Sequence, residues 1–184
     1  MNLIASPGQL RASFVRWALV CVPAIVLLGF LSGRAAQSGP ENPWFAALVK
    51  PAAYPPPAAF PIAWTTLYVL MGLALAMVLS ARGAWWRGRA AAAFAVQLAL
   101  NLAWSPVFFG AHMITGALVV VLLLDLAAVV TIALFWKVRP LAALLLVPYL
   151  LWLLFATYLN FAILQANPGM DGAASGGAVV RYQI

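Results

Sequence analysis

Residues 90–110 read AAAAFAVQLALNLAWSPVFFG, a run without a single charge. About 20 apolar residues, wound into a helix, cross the hydrocarbon core of a bilayer. This run is not uniform, however. Ala91, Ala95, Ala99 and Ala103 recur every four residues and share one helical face, while Gln97, Asn101 and Ser105 keep the same spacing offset by two, on the opposite side. Amides turned toward lipid are costly, so that second face should look into a bundle, where it either bonds neighbouring helices or lines a pocket. The alanine strip is smooth enough for another helix to pack closely against it, which makes it the expected dimer interface. Pro106 removes a backbone donor and should kink the helix near its end.

The rest of the chain agrees with a membrane reading. Of its 184 residues, 66% are hydrophobic and 7% charged, where a soluble domain carries about a quarter charged. Four more apolar runs fall at 14–32, 62–81, 115–136 and 141–164. The expected architecture is therefore all-α, a five-transmembrane-helix bundle over residues 14–165, with an N-terminal segment at 1–13 and a tail at 166–184. The tail is small, polar and Gly-rich (GMDGAASGGAVVRYQI, 169–184) and is expected to be disordered. Basic residues before the first run and Ala35 and Ala36 after it fit a signal peptide, but the length of the apolar core favours a retained helix. Arg11, Arg16, Arg82, Arg87, Arg89, Lys137 and Arg139 would lie on one side, Arg34, Lys50 and Arg181 on the other. That imbalance predicts a cytoplasmic N-terminus, with the Pro-rich loop (33–61) and the tail outside. A helical bundle points to a bacterial cytoplasmic membrane, since outer membranes hold mostly β-barrels.

Several chemistries lack material. Cys21 and His112 are the only residues of their kinds, and Asp and Glu total three, so neither a disulfide nor a metal site is expected. There is no GxxxxGK[ST], GxSxG, HExxH or CxxC, and no pair of neighbouring carboxylates inside a span. No basic run alternates with aromatics as a nucleic-acid surface would. Asp125 is the only acid within a span, and no Lys or Arg lies at its depth. Intramembrane acids are functional candidates, and a hydrogen bond to Asn101 or Thr131 is the alternative.

The aromatics divide by depth. Trp17, Trp85, Trp86 and Trp136 sit near span ends, where amphipathic rings suit the head-group layer. Deeper, Trp64, Tyr68, Met71 and Leu75 share one face of the second span, and Tyr149, Trp152, Ala156 and Asn160 share one face of the fifth. Opposed, the two faces would enclose a slot for a flat apolar ligand, or simply pack as a core. The second span is entered through PPPAAFPIAWTTLY (55–68), whose prolines make the approach stiff and poor in donors.

WFAALVKP (44–51), the PP pair at 55–56 and FPIAWTTLY (60–68) resemble the first loop and second helix of the TspO/MBR family, the translocator proteins and bacterial tryptophan-rich sensory proteins. QLALNLAWSPVFFG (97–110) resembles that family's third helix, and WKVRPLAALLLVPYLLWLLFATYLNF (136–161) its fourth-to-fifth junction and fifth helix. The resemblance implies a five-helix homodimer with a pocket beneath the first loop. It further implies binding or transport of porphyrins such as haem and protoporphyrin IX, with a role in tetrapyrrole or stress regulation and no cofactor required. Trp64, Asn101, Trp104, Tyr149 and Trp152 carry over to pocket positions by motif. Tyr68, Gln97, Ala156 and Asn160 join them by face, and Tyr54, Pro55, Pro56 and Phe60 belong to the loop above. Two alternatives accompany this reading. One is an enzyme that degrades protoporphyrin IX in light, with Trp64 and Trp152 as the reacting tryptophans. The other is a dimeric scaffold without ligand turnover. The chain departs from the family at Ala53 and Ala58, where relatives often carry tryptophan. It departs again at Phe161 and Gln165, where the mammalian cholesterol motif has a tyrosine and a basic residue.

Overall fold

A backbone inside lipid can satisfy its polar groups only on itself, and each apolar run of this chain forms a helix. The computed structural model describes residues 7–172. Its helices are α1 (Pro7–Ala35), α2 (Pro43–Ala47), α3 (Ala59–Ser80), α4 (Arg87–Ser105), α5 (Ile114–Val138), α6 (Pro140–Leu145) and α7 (Val147–Ala166), and a π-helical turn, Pro106–Gly110, extends α4. Five spans are long and apolar enough to cross a membrane: α1, α3, α4 with its π turn, α5, and α6 with α7. Among the described residues there are no strands. The chain is thus an all-α, multi-pass membrane bundle.

The helix ends extend the expected spans. The first helix already runs from Pro7, the first described residue, rather than from residue 14. The last span breaks at Leu146, two residues before Pro148, which cannot donate to the preceding turn. At Pro106 the α-helix gives way to the π-helical turn. The proline's missing N–H frees the carbonyl of Leu102, and the Ser32 hydroxyl of α1 donates to that oxygen at 2.6 Å.

The first span is an integral part of the bundle. It lies along α3, and Gly72 makes the approach possible: a Cβ there would stand 2.6 Å from the Cα of Val22. Higher up, Gly29 of α1 lies against the ring of Tyr68, leaving no room for a side chain. Two apolar clusters result. One holds Met71, Val78, Phe94, Leu124, Phe135 and Leu153, and the other, toward the loop end, holds Trp44, Phe45, Phe108, Ile114 and Ile163.

The loop between α1 and α3 is tied down from two sides. Asn42 caps α2 by accepting from the Phe45 amide at 3.1 Å, and its own amide donates to the Phe109 carbonyl at 3.3 Å. The tail, expected to be disordered from residue 166, is ordered through Gly172 and straps this loop. The Asn167 side chain accepts from Val49 N at 2.8 Å and donates to Val49 O at 2.9 Å. Trp44 Nε1 donates to the Met170 carbonyl at 3.3 Å, and its ring stacks on His112 at 4.6 Å. Asp171 accepts from the amide and hydroxyl of Thr115 at the start of α5. Partial burial alone would raise this carboxyl, but the bonds from Thr115 and Ile114 outweigh it and hold the group below its ordinary range. Residues 173–184 of the expected tail lie outside the described residues.

Candidate functional site

Beneath the strapped loop a cavity of 1610 Å³ opens between α1, α3, α4, α5 and α7. It exceeds the few hundred to about 1,000 Å³ usual for small-ligand sites. Its walls are aromatic because the inward faces of α3, α4 and α7 carry the rings. Trp64 and Tyr68, four residues apart on α3, stack at 5.3 Å. Trp104 of α4 stacks on Phe108 at 4.9 Å. Trp152 of α7 meets the edge of Phe60 at 6.0 Å, and Phe60 in turn lies 5.1 Å from Tyr54.

Of the residues expected around a pocket, Trp64, Tyr68, Asn101, Trp104, Trp152, Ala156 and Asn160 line this cavity, with Tyr54 and Phe60 at its roof. Gln97 and Tyr149 do not. Gln97 stands one turn below Asn101 on the same face, and both Gln97 and Tyr149 are buried beneath the floor. Pro55 and Pro56 are also displaced from the wall. Tyr54 and Phe60 turn inward to meet each other, while Pro57, Ala58 and Pro61 form the adjoining wall. The alanine strip faces outward as its spacing predicts, with Ala95, Ala99 and Ala103 exposed and Ala91 half-buried.

The polar groups are ordered. Tyr68 Oη donates to Asn101 Oδ1 at 3.0 Å, Asn101 Nδ2 donates to Tyr149 Oη at 3.3 Å, and Tyr149 Oη donates to Gln97 Oε1 at 2.7 Å. Gln97 Nε2, at the bottom of this chain, is buried without a partner. A second link fixes the far wall: Trp104 Nε1 donates to Asn160 Oδ1 at 3.1 Å, and Asn160 Nδ2 to the Ile114 carbonyl at 3.0 Å. These bonds hold the rings in place before any ligand arrives. Asp125 is not held by Asn101 or Thr131. Its Oδ2 accepts from Thr157 of α7 at 2.8 Å, because Thr131 donates to its own helix at Ala127 and Asn101 belongs to the floor chain.

The roof carries the charges. Arg34, Lys50 and Glu41 all border the cavity. Lys50 Nζ donates to the carbonyls of Phe45 at 2.6 Å and Ala46 at 3.0 Å and lies 4.7 Å over the Phe45 ring; partial burial lowers its pKa. Burial pushes the Tyr54 phenol up to about 12, so it stays neutral at ordinary pH. Glycine at 29, which admits the Tyr68 ring, and the strap residues Asn167 and Asp171 escaped sequence reasoning. Their partners lie on other elements, and no spacing announces them.

Five membrane-spanning helices around an aromatic cavity, roofed by a strapped loop, define a multi-pass membrane protein with a pocket at its loop end. The particular lineage is equally plain: the TspO/MBR family model matches residues 20–166, and the chain belongs to that family. It is 42% identical over 153 residues to the Tryptophan-rich protein TspO of Chlorobaculum tepidum, covering 81% of this chain and 94% of the relative. Protein CrtK of Rhodobacter capsulatus is 42% identical over 68% of this chain and 79% of its own. The human Translocator protein is 40% identical over 79% of this chain and 87% of its own.

Proposed function

We propose that the cavity binds porphyrins, such as haem and protoporphyrin IX, and similar flat apolar ligands, and that the protein holds or passes them in a tetrapyrrole or stress response. The observation that carries this reading is the aromatic enclosure. Trp64, Trp104 and Trp152 reach one cavity from three helices, and each presents a π-face or edge to a planar molecule. The Asn101 amide and the Tyr68 hydroxyl supply polar contacts at the floor, and Arg34 and Lys50 supply positive charge at the roof for carboxylate groups. The larger number of cations at the opposite end of the bundle supports a loop outside the cytoplasm. The exposed strip of Ala95, Ala99 and Ala103 suits pairing with a second copy.

The test is a titration of the purified chain with haem or protoporphyrin IX in darkness, read by quenching of tryptophan fluorescence. Trp64→Ala and Trp152→Ala should each weaken binding about tenfold, as loss of a stacking aromatic worth 1–3 kcal/mol requires. Unchanged affinity in both variants would remove the cavity from consideration. Illumination is the second arm. A new absorbance product would add turnover to binding, whereas a spectral shift alone would leave a binding protein.

A further inference from the structure

The end of the bundle opposite the loop gathers positive charge. Here α3 gives way to α4 through residues 81–86, and α5 ends at Val138. The indole of Trp86 is approached by two cations from different helices. Arg89 Cζ of α4 lies 4.9 Å from the ring centroid and Lys137 Nζ of α5 lies 4.4 Å from it. Both are exposed, and among the described residues neither donates a hydrogen bond or joins an ion pair. One half-buried ring therefore gathers two like charges to within about a Debye length of each other. The ring quadrupole attracts each cation but does not neutralise either. Arg82, Arg87 and Arg139 stand in the same turns and add to the positive field. Among the described residues no counter-charge is at hand, because Glu41 and Asp171 belong to the loop end and Asp125 lies mid-helix on α5.

The depth of the cluster selects the anion. Arg89 stands in the first turn of α4 and Lys137 in the last of α5, where the apolar spans end and the lipid head-group layer begins. Trp85, 82% exposed, and Trp136, 54% exposed, flank it with amphipathic rings of the kind that settle at that boundary. We propose that Arg89 and Lys137, set around Trp86, form a binding site for the phosphate head group of an anionic phospholipid, whose acyl chains lie along the outward apolar face of α5. A bridging phosphate contacts both cations at once and relieves their mutual repulsion. This site is independent of what fills the cavity.

The test is native mass spectrometry of the full chain in uncharged detergent, titrated with phosphatidylglycerol or phosphatidylcholine. Wild type should hold one phosphatidylglycerol in preference to phosphatidylcholine. Arg89→Gln and Lys137→Gln should each weaken that adduct about fivefold and the double variant about thirtyfold, from about 1 kcal/mol per membrane-proximal cation. The charge-keeping pair Arg89→Lys and Lys137→Arg should retain it. Both positions are exposed, so helical content should survive, and circular dichroism checks it. Equal retention of the two lipids, or undiminished phosphatidylglycerol binding in the single variants, overturns the site. Inorganic phosphate that binds the lipid-free chain as tightly as phosphatidylglycerol does would overturn the lipid as its occupant.

Discussion

Tyr149→Phe puts the floor chain to a quantitative test. The Tyr149 hydroxyl accepts from Asn101 and donates to Gln97, and it is almost wholly buried. Phenylalanine keeps the ring and its packing but removes both bonds. One Asn101 N–H and Gln97 Oε1 are then left unpaired, and Gln97 Nε2 already lacks a partner. Each orphaned buried group costs about 1–3 kcal/mol, so the variant should lose about 2–6 kcal/mol. For a chain of this length that is a fall in Tm of roughly 4–24 °C. Cys21 is the only cysteine and is 6% exposed, so a thiol-reactive fluorophore reports unfolding in detergent directly. The decisive comparison is the double variant Gln97→Leu with Tyr149→Phe. It deletes Gln97 Oε1 and the orphan Nε2 and leaves one Asn101 N–H unpaired, the same count of orphans along this chain as in wild type, so it should lie within about 1 kcal/mol of wild type. Strong positive coupling between the two sites is the expected result. Additive losses would show that the chain contributes no more than its separate side chains, and the reasoning would fail.

Two glycines should respond differently to the same added methyl. Gly72→Ala drives a Cβ into the Val22 backbone, which only a shift of α1 can relieve, so a loss of about 1–3 kcal/mol should appear in the same thermal assay. Gly29→Ala meets only the Tyr68 ring, which can swing away; the fold should survive while Tyr68 leaves Asn101 and porphyrin quenching weakens severalfold. Asp171→Asn should abolish an acid-dependent step in stability. Because its carboxyl is held below the ordinary range, the strap's contribution is complete above the unfolded value near 3.9 and lost as pH falls through the lower folded value. Melting at a series of pH values should therefore show wild type and variant converging in acid. Parallel curves would refute the assignment.

The spans were legible because lipid leaves a backbone few choices, and runs of about 20 apolar residues declare themselves. The inward face of α4 was legible from the four-residue recurrence of Gln97 and Asn101. Depth along that face was not, since a period assigns direction and says nothing of where a cavity ends. Gln97 and Tyr149 consequently fell below the floor rather than on it. The strap was illegible for a different reason. Gly-rich composition reads as disorder, yet Asn167 and Asp171 find backbone partners on elements far away in sequence, and Asn167 reaches across 118 residues to Val49. The consequence of Pro106 lay between these cases: a freed carbonyl was foreseeable, but the donor on α1 that claims it was not.

The floor chain has a direction, and the direction originates outside the cavity. A phenol has one proton, and Tyr149 uses it on Gln97, so it can only accept from Asn101. Asn101 Oδ1 therefore faces Tyr68, which donates to it and turns lone pairs toward the cavity, while Asn101 retains a second amide hydrogen. Turning the Gln97 amide end for end would reverse every link. Nε2 would donate to Tyr149, Tyr149 to Asn101, Asn101 to Tyr68, and the Tyr68 proton would point at the ligand. In the present direction Gln97 Nε2 is left unpaired, and a buried unpaired N–H is tolerated less well than a buried unpaired carbonyl. The two states are thus close in count of bonds, and a ligand acceptor opposite Tyr68 would favour the reversed one as a ligand donor favours the present one. Gln97 and Tyr149 touch no ligand, yet they decide which polar edge the floor presents. Tyr149→Phe cuts the chain at the link through which that choice is passed upward.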